Sequence, residues 1–68
     1  MNNLEKAYEE AAVLTLQFPG SDEVAFIHNV VHELLQSPHL TEESAETEGQ
    51  AALNILERTR EQLNITLN

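Results

Sequence analysis

Two histidines, His28 and His32, are the residues of this chain whose type and spacing come closest to a chemical site. In a helix they would lie one turn apart, where both imidazoles could bind the same metal ion. Glu33 follows the second histidine rather than the first, and neighbouring helix positions diverge by about 100°, so its carboxylate points away from the pair. This is not the spacing of a zinc protease. We therefore predict two histidines at the edge of the fold and no metal site.

Adjacent carboxylates at Glu9 and Glu10, and at Glu42 and Glu43, are the other candidates for chemistry, as a general acid and its base. Consecutive helix positions do not share a pocket, so solvated faces explain these pairs better. The sequence has no cysteine, no glycine-rich phosphate loop and no aspartate-rich calcium loop. We predict that the protein is not an enzyme and that it has no catalytic residue and no cofactor.

The charge of the chain is the feature that most restricts its partners. Its 68 residues include 12 acidic and 3 basic side chains, for a formal net charge of −9. Such a charge repels nucleic acid phosphates and anionic lipid headgroups, so we predict no nucleic acid and no membrane as a partner. The expected partner is another protein with a basic surface.

One acidic cluster is the candidate binding surface for that partner. Small acidic regulators and inhibitors use such a surface to occupy a basic site, and complementary charge speeds the encounter. The alternative is a solubilising face whose acids favour the start of a helix. The predicted acidic face consists of Glu42, Glu43, Glu46 and Glu48.

Two pairs of helix breakers, Pro19-Gly20 and Ser37-Pro38, divide the chain into three segments. Each segment repeats its apolar residues with a helical period. The sequence therefore predicts an all-α fold, a small three-helix bundle forming a single helical domain over 1–68. The predicted helices cover about 3–17, 22–36 and 42–64.

Local residues support these helix boundaries and suggest how the helices pack. Asn2 or Asn3, Ser21 and Thr41 are suitable N-caps. The second helix is apolar over about half its circumference, so we expect it to be the central helix. The inner face of the third helix begins with small residues, which would form a groove suited to the bulky Phe26 or Ile27 of the second helix. Gly49 leaves open a break in the third helix, because glycine costs about 1 kcal/mol in a helix interior. The predicted inner faces consist of Leu4, Ala7, Tyr8, Ala11, Leu14 and Phe18; Val24, Phe26, Ile27, Val30, Val31, Leu34 and Leu35; and Ala45, Gly49, Ala52, Leu56 and Leu63, flanked by Leu53 and Ile55.

The small size of the chain predicts self-association. A domain near this size buries only about 60% of the surface that its unfolded chain exposes, and no disulfide is available to compensate. The third helix is also longer than the others, roughly 33 Å against 22 Å, so it must overhang, bend or find another partner, and an overhang would expose residues such as Leu56. A homodimer or larger homo-oligomer would cover the surplus apolar side chains; the alternative is that scattered surface apolar residues have no such role. The candidate subunit contacts are Val13, Leu16, Ile55, Leu63, Ile65 and Leu67.

The sequence contains neither a secretory signal pattern nor an apolar run of the roughly 20 residues that a membrane span needs. We therefore expect a cytoplasmic protein.

Overall fold

A computed structural model describes residues 1–67 and consists of three α-helices. These are α1 (Asn3–Gln17), α2 (Asp22–Leu35) and α3 (Glu42–Leu67). The described residues contain no strand, so the predicted all-α three-helix bundle is confirmed. Helix α1 has the predicted bounds, α2 ends one residue early, and α3 continues to Leu67. None of these helices, over the described residues, is long and apolar enough to cross a membrane.

Side-chain caps fix the start of each helix. Asn2 is the N-cap of α1: its Oδ1 accepts the main-chain N–H of Glu5 at 2.8 Å, and Glu5 Oε1 accepts the N–H of Asn2 at 3.0 Å. The hydroxyls of Ser21 and Thr41 likewise accept a main-chain N–H three residues along, at 3.3 and 3.0 Å. These bonds satisfy donors that a helix start otherwise leaves unpaired, so the predicted boundaries are confirmed by their chemistry.

The helices alternate in direction, so that α1 and α3 run parallel and α2 runs antiparallel to both. At one end Asn3 Nδ2 donates a hydrogen bond to the main-chain oxygen of Glu46 at 3.2 Å. Further along both helices Arg60 Nη1 lies 3.0 Å from Glu10 Oε1. Helix α1 packs more extensively on each neighbour than the neighbours pack on each other. The central helix is therefore α1, and the prediction that α2 would be central is wrong.

The core is a seam of residues spaced three and four apart, as in other bundles with slightly inclined helices. Helix α1 contributes four buried apolar side chains, α2 contributes two and α3 contributes three. Half-buried residues, including Tyr8, Phe18 and Ile27, pack against this seam. The buried apolar residues are Leu4, Ala7, Ala11 and Leu14; Val24 and Val31; and Ala45, Ala52 and Leu56.

At Gly49, α3 approaches the main chain of α1 closely. The helix is continuous through this residue, and Gly49 is buried. A Cβ atom there would overlap the main-chain nitrogen of Leu4 and the carbonyl carbon of Asn3, and would lie 2.6 Å from Asn3 Cβ. The lack of a side chain at Gly49 thus allows the backbone of α1 to pack directly against α3. Of the two residues predicted to suit the small-residue groove, Phe26 remains exposed, whereas Ile27 is half-buried and packs against the core.

Helix α3 spans the whole length of the bundle. Its 26 residues correspond to roughly 39 Å at 1.5 Å per residue. The molecule itself measures 40 × 16 × 16 Å. Residues of α3 lie beside both interhelical turns as well as beside α1, so the extra length is used within the bundle. The predicted overhang is wrong for Leu56, which is fully buried, while Leu63 packs against the core.

Candidate interaction surface

The contact between α2 and α3 is the least extensive of the three helix contacts, and it leaves an open groove. The groove has a volume of about 340 Å³ and its lining is almost entirely apolar. Glu48 supplies the charged side chain in that lining. The apolar lining residues are Phe26, Ile27, Val30, Val31, Leu34, Ala51, Ala52 and Ile55.

Three large apolar side chains of the groove face solvent. Phe26 is 68% exposed, Ile55 43% and Val30 38%. Between them, Ala51 and Ala52 of α3 have short side chains that leave the space between the helices unfilled. Helix α3 thus packs closely on the backbone of α1 at Gly49 and leaves part of α2 uncovered. This exposed apolar surface between two helices is therefore a candidate site for binding another molecule.

The groove continues toward the start of α2. A second cavity of about 470 Å³ shares Phe26, Ile27 and Ile55 with the groove and is also lined by Asp22 and Glu23. From residue 23 to residue 34 of α2 the combined surface extends for roughly 17 Å, about three helical turns. Acidic residues lie at both ends of this surface, Asp22 and Glu23 at one and Glu48 at the other.

The four residues of the predicted acidic face are all exposed, but they surround the start of α3. The main-chain oxygen of Glu46 accepts a hydrogen bond from Asn3, which places that residue toward α1. Glu48 lies on the opposite side, in the α2–α3 groove, because two residues along a helix correspond to a rotation of about 200°. Glu42 is one turn before Glu46, whereas Glu43 points away from both neighbouring helices.

Most acidic side chains have no basic partner. In the described part of the chain, Arg60 and Glu10 form the only ion pair within 4.0 Å, and both side chains are solvent-accessible. No described side-chain polar atom is buried without a hydrogen-bond partner. The negative charge is therefore carried on the surface, where it acts on approaching molecules.

The predicted subunit contacts lie in different places. Val13 and Leu16 are on the outer side of α1, 47% and 84% exposed, and Ile65 is exposed near the end of α3. Ile55 belongs to the α2–α3 groove, and Leu63 packs against the core. The side chain of Leu67 lies outside the described part of the structure. The five of these residues whose side chains are described form no single continuous surface.

The two histidines contact an aromatic ring. The ring of Tyr8 on α1 stacks on His28, with centroids 5.0 Å apart, and lies 5.9 Å from His32. His39 is separate, in the turn after α2, where its main-chain N–H donates to Ser37 Oγ at 3.2 Å. No group of three or more candidate metal ligands occurs among residues that the structure describes. The imidazoles thus help to pack α2 on α1.

Sequence reasoning missed the groove because it assigned Phe26 and Val30 to the inner face of α2. The residues that turn toward the core follow a strict three-and-four spacing: Val24, Ile27, Val31 and Leu34. Phe26 and Val30, one turn apart, fall outside that series and form a second stripe. Treating these two stripes separately would have indicated from the sequence that Phe26 and Val30 do not face the core.

The fold and the surface together define a small acidic three-helix bundle with an open apolar groove between α2 and α3. Comparison with known proteins gives no relative: no protein-family model matches the chain, and no curated protein or solved structure matches it significantly.

Proposed function

We propose that the protein is a protein–protein interaction module that engages a basic surface of a partner protein and acts as a regulator or inhibitor of that partner. The observation that supports this proposal is the unpaired negative charge of the surface: a net charge of −9, with a single ion pair among the described residues. A partner with complementary charge would be attracted at long range and held in register. A cytoplasmic location belongs to the same proposal.

The test is affinity capture with the immobilised protein at about 50 mM and about 500 mM salt, which changes the screening length several-fold. The expected partner is basic, and it is released as the salt concentration rises. Capture that persists unchanged at the higher salt concentration would contradict the proposal.

Matched variants identify the acids responsible. One variant replaces Glu42, Glu43, Glu46 and Glu48 by glutamine. Its control replaces four other exposed acids, Glu9, Glu33, Glu57 and Glu61, and so removes the same charge from other positions. Loss of capture in the first variant with retention in the control supports the predicted acidic face. Equal loss in both would show that only the net charge matters and would exclude that face as the binding site.

A second candidate function is a self-assembling structural or accessory subunit. It is favoured by the exposure of Val13, Leu16 and Ile65, which a second copy could cover. Sedimentation separates the two candidates: a 7.6 kDa monomer at micromolar concentration excludes self-assembly. An oligomer that dissociates when Val13 and Leu16 are replaced by serine, with no basic partner captured, favours it.

A further inference from the structure

We infer that the α2–α3 groove binds an amphipathic helix of a partner protein, with basic residues flanking its apolar stripe. This inference rests on the proposed function, because it assigns the surface through which a basic partner would be held. The juxtaposition that carries it is an apolar channel, lined by Phe26, Val30 and Ile55, with acidic residues at both ends.

The shape of the groove indicates a helix. Its walls are two α-helices whose main-chain N–H and C=O groups are already paired, so it offers no free edge to which an extended strand could be added. An occupant must satisfy its own backbone hydrogen bonds, as a helix does. The short side chains of Ala51 and Ala52 allow such a helix to approach closely, and its length of contact would be about three turns. The partner helix would then complete a four-helix bundle.

The apolar lining defines the face of the occupant. A helix that places apolar residues at three- and four-residue intervals would contact Phe26, Val30 and Ile55 along one stripe. Phe26 is the residue best suited to dominate the binding energy, because it is aromatic, lines both cavities of the combined surface and is 68% exposed in the free protein.

The charges at the ends of the groove indicate a basic occupant and argue against a second copy of this chain. Glu48 lies at one end and Asp22 and Glu23 at the other, and no basic residue of the described chain lines either cavity. In a two-fold dimer the groove of one copy would pack on the same groove of the other copy. Because both ends of the groove are acidic, acidic residues would face acidic residues whether the paired helices ran parallel or antiparallel. Such a dimer would also join two net charges of −9. A partner helix with lysine or arginine beside its apolar stripe would instead be attracted both by the acidic ends of the groove and by the net charge of the protein.

The probe is a synthetic helical peptide of about 14 residues, roughly 21 Å long, with leucine on one face and lysine elsewhere. Its controls are a scrambled peptide of the same composition and a peptide with glutamate in place of lysine. We expect the first peptide to bind the intact 68-residue protein with chemical-shift changes concentrated at the groove residues, and both controls to bind much more weakly. Shift changes confined to other residues would overturn the inference.

Two matched pairs of variants test the groove. Phe26→Ser should weaken peptide binding about tenfold or more, whereas Leu16→Ser, which removes an even more exposed apolar side chain from α1, should leave it unchanged. Glu48→Gln should weaken binding more than Glu43→Gln, which removes the same charge outside the groove. Ala51→Trp, which fills the groove without truncating a large side chain, should also weaken binding about tenfold. Equal affinity of Ala51→Trp and the unaltered protein would overturn the inference even if Phe26→Ser did not fold.

The outcomes separate this inference from the proposed function. Salt-sensitive peptide binding that maps to the start of α3 and is unaffected by Ala51→Trp would refute the groove and leave the basic-partner proposal standing. The same conclusion would follow if no peptide bound at low salt while a basic partner was still captured, and if Ala51→Trp did not alter that capture. A dimer of the protein alone that Phe26→Ser dissociates would assign the groove to a second copy and refute the helix partner.

Discussion

The backbone of α1 passes α3 at Gly49, where Asn3 and Leu4 occupy the space that a side chain would need. Glycine in a helix interior costs about 1 kcal/mol relative to alanine. At this position the cost is offset by packing, because the missing Cβ lets the buried seam of α1 meet the seam of α3. The hydrogen bond from Asn3 to the main-chain oxygen of Glu46 lies beside this contact. The absence of a side chain at Gly49 therefore permits the close contact between α1 and α3 at this point.

Replacing Gly49 by alanine should destabilise the protein by about 1–3 kcal/mol, because the new methyl group overlaps main-chain atoms that cannot move independently of α1. The gain in helix propensity offsets only part of this cost. Urea unfolding measures the change.

Gly20→Ala is the matched control. No atom lies within 4 Å of a Cβ built on Gly20, and its φ is not positive. We expect that variant to be neutral or more stable by up to about 1 kcal/mol, because it restricts the unfolded chain. A Gly49→Ala protein as stable as the Gly20→Ala protein would contradict the close approach.

At the scale of the helices, α2 has two apolar stripes with different environments. In one stripe Val24 and Val31 are buried against the other helices, and Ile27 and Leu34 are half-buried. The other, formed by Phe26 and Val30, lies in the open groove. On the opposite side of the helix, His28 and His32 contact Tyr8 of α1. Helix α2 is thus held mainly through α1, which explains why its contact with α3 stays open.

The two stripes should respond differently to truncation. Val31→Ala should lower the free energy of unfolding by about 2 kcal/mol, because it leaves a cavity in the packed seam. Phe26→Ala removes more atoms but should cost less than about 1 kcal/mol, because that ring is already largely in water. The midpoints of urea unfolding compare the two variants on the same helix. An equal or greater loss from Phe26→Ala would mean that the ring is covered in solution.

The helices were predictable because their determinants are local. The breakers at Pro19 and Pro38 and the caps at Ser21 and Thr41 act within a few residues of sequence, and the structure has the helices within three residues of the predicted ends. The inner faces of α1 and α3 were also predictable, because a single apolar stripe leaves one way to bury it.

The packing of α2 was not predictable by the same argument. The width of the apolar face of α2 does not indicate which of the two neighbouring helices covers it. The position of α3 also involves the contact of Gly49 with Asn3 and Leu4, which lie more than 40 residues away in sequence. The acidic residues were evident from composition alone, but their distribution around α3 required the position of α1, which Asn3 and Glu46 define.

At the scale of the whole molecule, charge and dimensions act together. The net charge of −9 is distributed over a rod whose shorter dimensions are 16 Å. The Debye length is roughly 30 Å at 0.01 M salt and 10 Å at 0.1 M, so in dilute salt the carboxylates repel one another across the full width of the bundle. With a single ion pair in the described residues, there is little attraction between side chains to oppose this repulsion. The compact state therefore carries an electrostatic cost that the expanded chain partly escapes.

Sodium chloride should accordingly stabilise the fold. We expect the melting temperature to rise by several degrees between about 10 mM and 500 mM salt, since screening removes more repulsion from the folded than from the unfolded chain. Glutamine at Glu42, Glu43, Glu46 and Glu48 changes the formal charge from −9 to −5, because four negative charges are removed, and should reduce the size of this rise. Differential scanning calorimetry of both proteins measures it. A melting temperature that falls with salt would show that attractive ion pairs outweigh the repulsion, and it would remove the physical basis for assigning the surface to a basic partner.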